Sequence, residues 1–281
     1  MIALSILAAA LFLLAALYLF SIAGRRRRPD SPEFFGRLYA HRGLHSKTSP
    51  SAVPENSMPA FRRAVEHGFG IELDVHISAD GELFVFHDDT LKRMCGAEKS
   101  VTDCTYAELS SYTLSGGIER IPLFSDVLDL VGGRVPLIVE VKCAPREPVS
   151  PLCEKVCAML KSYDGAYCVE SFNPSVVKWF RKNAPEIFRG QLSEAFFTHG
   201  RRDTIRFAMQ HLLVNILGRP DFVAYNCLHR DAFAFRIWRV FYRMPTAGWT
   251  VRDPETMRQL VSEGCYDCLI FEGFIPDENT I

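Results

Sequence analysis

One apolar run opens the chain. Ile2–Ala23 is interrupted only by Ser5, Tyr18 and Ser21. Beyond it the pattern becomes short apolar segments alternating with amphipathic ones. Strand-like segments fall at 37–40, 70–75, 136–142, 167–172, 188–192, 222–225, 246–251 and 266–272. Helical spacing lies between them, at 56–68, 125–131, 152–160, 174–180, 205–217, 232–242 and 254–263, with Asn56 placed to cap the first. Strictly alternating strands and helices imply parallel pairing, and eight such units close a (β/α)8 TIM-type barrel. Only Pro276–Ile281 remain for a last helix. One stretch departs from the rhythm. After the second strand the chain alternates through Val75–Ser78, turns at Asp80-Gly81 and returns along Leu83–Phe86, the signature of a hairpin excursion. Lys92–Gly117 then reads as polar, with one short helical piece near Ala107–Ser111.

The opening run is long enough to cross a membrane, since Ile2–Ala23 as a helix covers roughly 30 Å. Arg25–Arg28 follow it directly. Secretory signals carry positive charge before the apolar stretch, so the order here favours a retained anchor with the rest of the chain in the cytoplasm. Ser21-Ile22-Ala23 also fits a cleavage site, the alternative to an anchor. The expected layout is a transmembrane anchor at 1–24, a basic juxtamembrane linker at 25–36 and a barrel domain at 37–281.

The chemistry concentrates at Gly70–Asp89. Glu72 and Asp74, two residues apart in a strand, share one face. The hairpin brings His87 back beside Asp74, so two acids for a cation and a histidine for proton transfer meet at one site. In a barrel of this kind, functional side chains stand at the C-terminal ends of strands. His41, Glu72, Asp74, Glu140, Lys142, Phe172 and Trp249 all fall there, on independent strands.

Composition narrows the picture. A net charge of −1 gives no argument for nucleic acid as a partner. The nine cysteines form no short secreted framework, and Cys265-x-x-Cys268 lacks the second pair that a zinc site needs. Buried, reduced thiols are the expectation.

His41-Arg42-Gly43, Pro54-Glu55-Asn56, Glu72-Leu73-Asp74-Val75, His87-Asp88, Glu140-Val141-Lys142 and Trp249-Thr250-Val251, in that order, resemble the glycerophosphodiester phosphodiesterases across residues 37–276. The resemblance implies a (β/α)8 barrel, a divalent cation, and hydrolysis of glycerophosphodiesters to glycerol 3-phosphate and an alcohol. On matching positions it implies His41 and His87 as acid and base, and Glu72, Asp74 and Glu140 as metal ligands. Arg42 and Lys142 would face phosphate, with Glu55 and Asn56 supporting from behind. Two departures bear on substrate selection: Phe271-Glu272 ends the last strand where many members have Thr-Asp and a proline, and Arg252-Asp253 follows Trp249-Thr250-Val251 where many have Asn.

The implied chemistry suits the residue types. A hard cation on carboxylates neutralises phosphoryl oxygens, and an all-acid set favours Ca²⁺ or Mg²⁺ over zinc. Two histidines divide proton removal and delivery. The attacking group is either water or the substrate's own glycerol 2-hydroxyl. Phe172 and Trp249 would wall the pocket. Arg236, Arg239 and Arg243, beside Phe233, Trp238 and Phe241, form a basic-aromatic stripe that fits either an anionic leaflet or ordinary packing on the barrel. A nearby membrane raises lysophospholipids as substrates. A lysophospholipase D or related phospholipase, and a membrane-tethered sensor, are the rival functions; protein partners are not legible.

Overall fold

The computed structural model describes residues 1–25, 32–46, 52–144, 147–199 and 203–277. Residues 26–31 of the expected linker, 47–51 of the following polar loop and 278–281 lie outside them.

Helix α1, Ile2–Ile22, is the opening apolar run. Then come β1 (Leu38–His41), α2 (Met58–Glu66), β2 (Gly70–Ile77) and β3 (Leu83–Val85). Two short helices, α3 (Lys92–Cys95) and α4 (Tyr106–Leu109), precede α5 (Phe124–Val131). The rest alternates: β4 (Leu137–Val141), α6 (Val149–Lys161), β5 (Tyr167–Ser171), α7 (Pro174–Asn183), β6 (Arg189–Ser193), α8 (Thr204–Gln210), α9 (Asn215–Gly218), β7 (Phe222–Asn226), α10 (Phe233–Arg236), β8 (Thr246–Val251), α11 (Pro254–Glu263) and β9 (Cys268–Phe271).

The sheet closes. Eight strands pair in parallel, β1 bonding both β2 and β9, while β3 hangs antiparallel from β2 through Val75↔Val85 and Ile77↔Leu83. This is the TIM-type barrel with its hairpin excursion. Period-two alternation sorts the strand residues. Ala40, Leu73, Val139, Val169 and Phe271 point outward into the main core under the helices. Tyr39, Ile138, Cys168, Leu192, Phe222, Ala247 and Ile270 point inward and fill the lumen. Phe34 closes the floor, stacking on Phe188 at 6.0 Å between ring centroids.

Four expectations change. Ser57, not Asn56, caps α2, accepting from the Ala60 N–H. Asn56 instead takes φ +51 and turns its side chain to the site. The apolar run at 205–217 is two helices, because Leu212 takes φ +56 and breaks it. Of the run at 232–242, only Phe233–Arg236 is α-helical; Ile237–Phe241 widens to a π-helix as Trp238 buries fully and donates to the Pro245 carbonyl. The stretch 92–117 has its own small core, with Phe84, Phe86, Leu91, Met94, Val101, Leu109 and Leu114 packed together.

Candidate active site

Glu72, Asp74 and Glu140 come together as the strand spacing requires. Their carboxylate oxygens lie within 4.8 Å of one another, all buried. The register makes this unavoidable: β1 and β2 set His41 beside Glu72, and β2 and β4 set Asp74 beside Glu140. The next pairing sets Glu140 beside Glu170, a fourth buried acid. His41, Arg42, Glu72, His87, Glu140 and Glu170 line one side of a cavity of about 100 Å³. Phe172, Leu192 and Trp249 line the other, with Phe172 set edge-on to Trp249 at 5.6 Å.

The turn after β1 is shaped to serve the acids. Arg42 takes φ +57, and its backbone N–H donates to Glu72 Oε2 at 3.1 Å. Gly43 follows at φ +79, where a Cβ would lie 2.9 Å from the Ala60 backbone. The Arg42 side chain donates to Glu55 Oε1 at 2.7 Å, and its Nε is 3.5 Å from Asp74. Asn56 Nδ2 donates to Asp74 Oδ2 at 2.8 Å. Lys142 lies against the acids, with Nζ 3.0 Å from Asp74 Oδ1 and 2.9 Å from Glu140 Oε2.

Each histidine is held by a carboxylate at Nδ1. His41 bonds Glu272 Oε2 at 2.9 Å, and His87 bonds Asp88 Oδ1 at 2.7 Å. A hydrogen bond to an acceptor at Nδ1 assigns the proton there and leaves Nε2 as the base. Arg93 ties this shell together, donating to Asp88 at 2.6 Å and to Glu55 at 2.6 Å.

The electrostatics separate the groups. Burial lowers the His41 value to about 4, against the opposing bond to Glu272. Burial also lowers His87, partly offset by Asp74. Burial and the neighbouring Asp74, Glu140 and Glu170 push Glu72 well above the carboxylate range. Glu140 rises to about 7 through burial, although Lys142 opposes this. Burial works against Asp74 too, but Lys142, His87 and Arg42 outweigh it and hold that carboxyl low. Four buried acids thus face two half-buried cations, Arg42 and Lys142, and one Glu170 oxygen has no hydrogen-bond partner. A site with an excess of hard oxygen ligands and negative charge fits a divalent cation.

The candidates Glu72, Asp74, Glu140, His41, His87, Arg42, Phe172 and Trp249 therefore converge, with Glu55 and Asn56 bonded to them and Lys142 among the acids. Glu170 and Arg93 escaped the sequence reading, and Asp88 and Glu272, though quoted in its motifs, were given no role at the histidines. Glu170 did carry a signal: it stands two residues before Phe172 in a strand, the same spacing as Glu72 and Asp74.

Comparison with known proteins places these residues in context. Residues 41–272 match the glycerophosphoryl diester phosphodiesterase family. A glycerophosphodiester phosphodiesterase of Caldanaerobacter subterraneus is 32% identical over 250 residues, covering 81% of this chain and 98% of that one. A human lysophospholipase D is 30% identical over 144 residues, 47% of this chain and 43% of that protein. Among solved structures, an Oleispira antarctica phosphodiesterase in complex with its product sn-glycerol-3-phosphate superposes with a TM-score of 0.66 at 20% identity, covering 85% of this chain and 93% of that one. The chain is an enzyme of the glycerophosphoryl diester phosphodiesterase family.

Proposed function

We propose that the chain hydrolyses glycerophosphodiesters to glycerol 3-phosphate and an alcohol, with His41 and His87 as the proton-transfer pair above a divalent cation. The observation that carries this is the placing of both imidazoles on one cavity with Glu72 and Glu140. Glu72, Asp74 and Glu140 would hold Ca²⁺ or Mg²⁺, which supplies charge neutralisation at the phosphoryl oxygens. Arg42 and Lys142 add fixed positive charge beside the phosphate. One histidine takes a proton from the attacking hydroxyl as its oxygen bonds phosphorus. The other gives a proton to the alcohol oxygen as its bond to phosphorus breaks. The attacking hydroxyl is water, or the glycerol 2-hydroxyl followed by water. Both imidazoles lie below their ordinary value, so the free site opens with two bases. An anionic diester favours protonation beside it, so substrate binding draws in the proton that the acid needs.

Hydrolysis of glycerophosphocholine and glycerophosphoethanolamine by the full chain, with Ca²⁺, Mg²⁺ or chelator, tests this. Chelator-sensitive release of glycerol 3-phosphate is expected. Turnover unaffected by chelation, or retained by both His41→Ala and His87→Ala, would end the reading.

The proposal includes the layout: an anchor at 1–24, a basic linker at 25–36 and a barrel at 37–281 on the cytoplasmic side. Helix α1 supports it, being apolar but for Ser5, Tyr18 and Ser21 and exposed from Met1 to Leu17. The linker is tied to the barrel at both ends. Arg25 Nη1 donates to the Pro185 carbonyl at 2.6 Å and lies 3.5 Å from Asp221, while Phe34 packs in the floor.

A further inference from the structure

Helix α1 ends against the floor of the barrel, and side chains there donate to its last carbonyls. Tyr242 bonds Leu19 O at 2.7 Å, Arg219 bonds Phe20 O at 2.6 Å and Ala23 O at 2.9 Å, and Asn215 bonds Ile22 O at 3.1 Å. These are the groups a helix C-terminus leaves unsatisfied, and a cation there also suits the helix dipole. Ile22 is fully buried in a cluster with Leu212, Phe235 and Trp238. Gly24 comes so close that a Cβ would lie 2.8 Å from the Pro220 carbonyl oxygen, and the Arg25 N–H donates to that oxygen at 3.1 Å. Arg25 is thereby fixed where β6 and β7 begin.

A cavity of about 530 Å³ opens at this junction. Phe20 and Ala23 line it together with four arginines: Arg25 after α1, Arg181 in α7, Arg189 at the start of β6 and Arg219 after α9. No carboxylate is among its lining residues. Among the described residues, Arg25, Arg181 and Arg189 share a single carboxylate, the fully buried Asp221, 3.5 Å from Arg25 and 3.5 Å from Arg189. Those three alone leave two positive charges in excess. The side chains of Arg25 and Arg181 hydrogen-bond through Nη1 only, to the Pro185 carbonyl and to those of Ile216 and Leu217. Neutral carbonyls hold a guanidinium in place without discharging it, so little freedom is left to lose when its fork closes on a phosphate.

Arg189 shows what is missing. It is 2% exposed, and a buried cation is costly unless its charge and its donors are met. Its Nε donates to Gly218 O at 3.2 Å and its Nη2 to Arg219 O at 3.0 Å, but Nη1 has no hydrogen-bond partner. Burial pushes its value down to about 10; Asp221 opposes this, and repulsion from Arg25 and Arg181 adds to it.

Depth indicates where an anion would come from. At 1.5 Å per residue, Phe20 and Ala23 stand about 5 and 9 Å beyond Leu17, the end of the continuous exposed run. The headgroup layer on each side of a hydrocarbon core is roughly 5–8 Å thick. Phe20 is 58% exposed, with the Arg219 guanidinium 4.4 Å from its ring centroid, an aromatic–cation pair suited to that layer.

We propose that the cavity between Arg25, Arg181, Arg189 and Arg219 binds the phosphate of an anionic phospholipid in the leaflet where α1 ends, and that this lipid bridges the anchor to the barrel floor. The basic site stands on the barrel's own residues; the lipid as its source rests on α1 being a membrane anchor. The site is separate from the acid cluster, which lies at the opposite ends of the strands, and no bond is made or broken in it.

The test places the full chain in nanodiscs of phosphatidylcholine and phosphatidylglycerol and counts the lipid retained on release by native mass spectrometry. One phosphatidylglycerol per chain is expected, in preference to phosphatidylcholine. Arg25→Gln with Arg181→Gln should weaken its binding by about thirtyfold, at roughly fivefold per arginine, whereas Arg236→Gln with Arg243→Gln, at exposed positions outside the cavity, should change it by less than about twofold. Should the first pair lose its circular dichroism spectrum, Arg181→Gln alone, at an exposed position, takes its place with a fall of about fivefold. Equal losses from both pairs would mean diffuse surface charge and overturn the site. So would an incorporated chain that retains neither lipid or both alike. Inorganic phosphate that raises the Tm of the wild-type chain and not of the Arg25, Arg181 variant, with no lipid retained, keeps a phosphate site and overturns the lipid. A chain that does not enter nanodiscs overturns the anchor reading and the lipid with it, and the same phosphate titration then decides whether the basic site stands.

Discussion

The two halves of the barrel mouth are built from different materials. Strands β1, β2, β4 and β5 present His41, Glu72, Asp74, Glu140, Lys142 and Glu170. Strands β6 and β8 present Leu192 and Trp249, joined by Phe172 from the end of β5. The same period-two alternation produces both, so the difference lies only in which residues occupy the inward positions near the mouth. The charged half gathers acids, cations and imidazoles in a buried setting where charge interacts strongly. The apolar half offers surface without charge and can contact only the parts of a substrate that do not react. On the proposed function, bond cleavage and choice of substrate fall to opposite walls.

The sharpest way to break that division is to disarm the charged wall. His41→Ala and His87→Ala are each expected to lower kcat by about 10²–10⁴-fold with an unchanged circular dichroism spectrum, as for other positioned acids and bases. If either falls mainly in KM, the division is wrong. Glu170→Gln comes next. It keeps the shape and removes one of the four acids, so divalent-cation affinity by calorimetry should weaken by about 10–100-fold. Glu272→Gln is expected to act through His41: loss of its carboxylate should lower kcat by about tenfold and move the acid limb of kcat to lower pH, because the bond that raises His41 is weakened. On the apolar wall, Trp249→Ala should raise KM by about tenfold with little change in kcat, a loss of uniform binding.

The smallest effect is in stability. Glu72 and Glu140 are raised in the folded chain, Glu140 to about 7, so the fold binds protons that the unfolded chain has released. The Glu140 contribution is present below pH 4.5 and is lost as pH rises through about 7, and that of Glu72 has the same sign. His41 is lowered to about 4 and has the opposite sign, with stability gained as pH rises from about 4 to 6.5. Between pH 6.5 and 7.5 only the acids remain. The metal-free Tm should fall across that window, and Mg²⁺ or Ca²⁺ should raise it more at pH 7.5 than at pH 6.5. A flat Tm would argue against the raised carboxyls.

Much of this was legible because the relevant signals are local. Strand alternation places Glu72 with Asp74 on one face, and Asp80-Gly81 turns the chain so that His87 returns beside them. What escaped depends on contacts distant in sequence. Glu272 reaches His41 across the β1–β9 seam, and Arg93 meets Glu55 only after the excursion folds over the rim. Asn56 has the composition of a helix cap, yet Asp74 competes for its amide and wins. The break at Leu212 has no glycine or proline to announce it. The docking of α1 could not be foreseen at all, since an apolar run identical in hydropathy could end in a free tether.

One consequence of the hairpin excursion concerns how the enzyme fails. His87 is carried by a segment whose apolar residues, Phe84 to Leu114, pack with one another as a cluster distinct from the main core. Small clusters open at lower free energy than large ones. Heating should therefore detach this flap before the barrel melts, so that activity disappears several degrees below the global transition and returns on cooling. Hydrogen exchange would reveal it as early deuteration of residues 84–114 within an otherwise protected barrel.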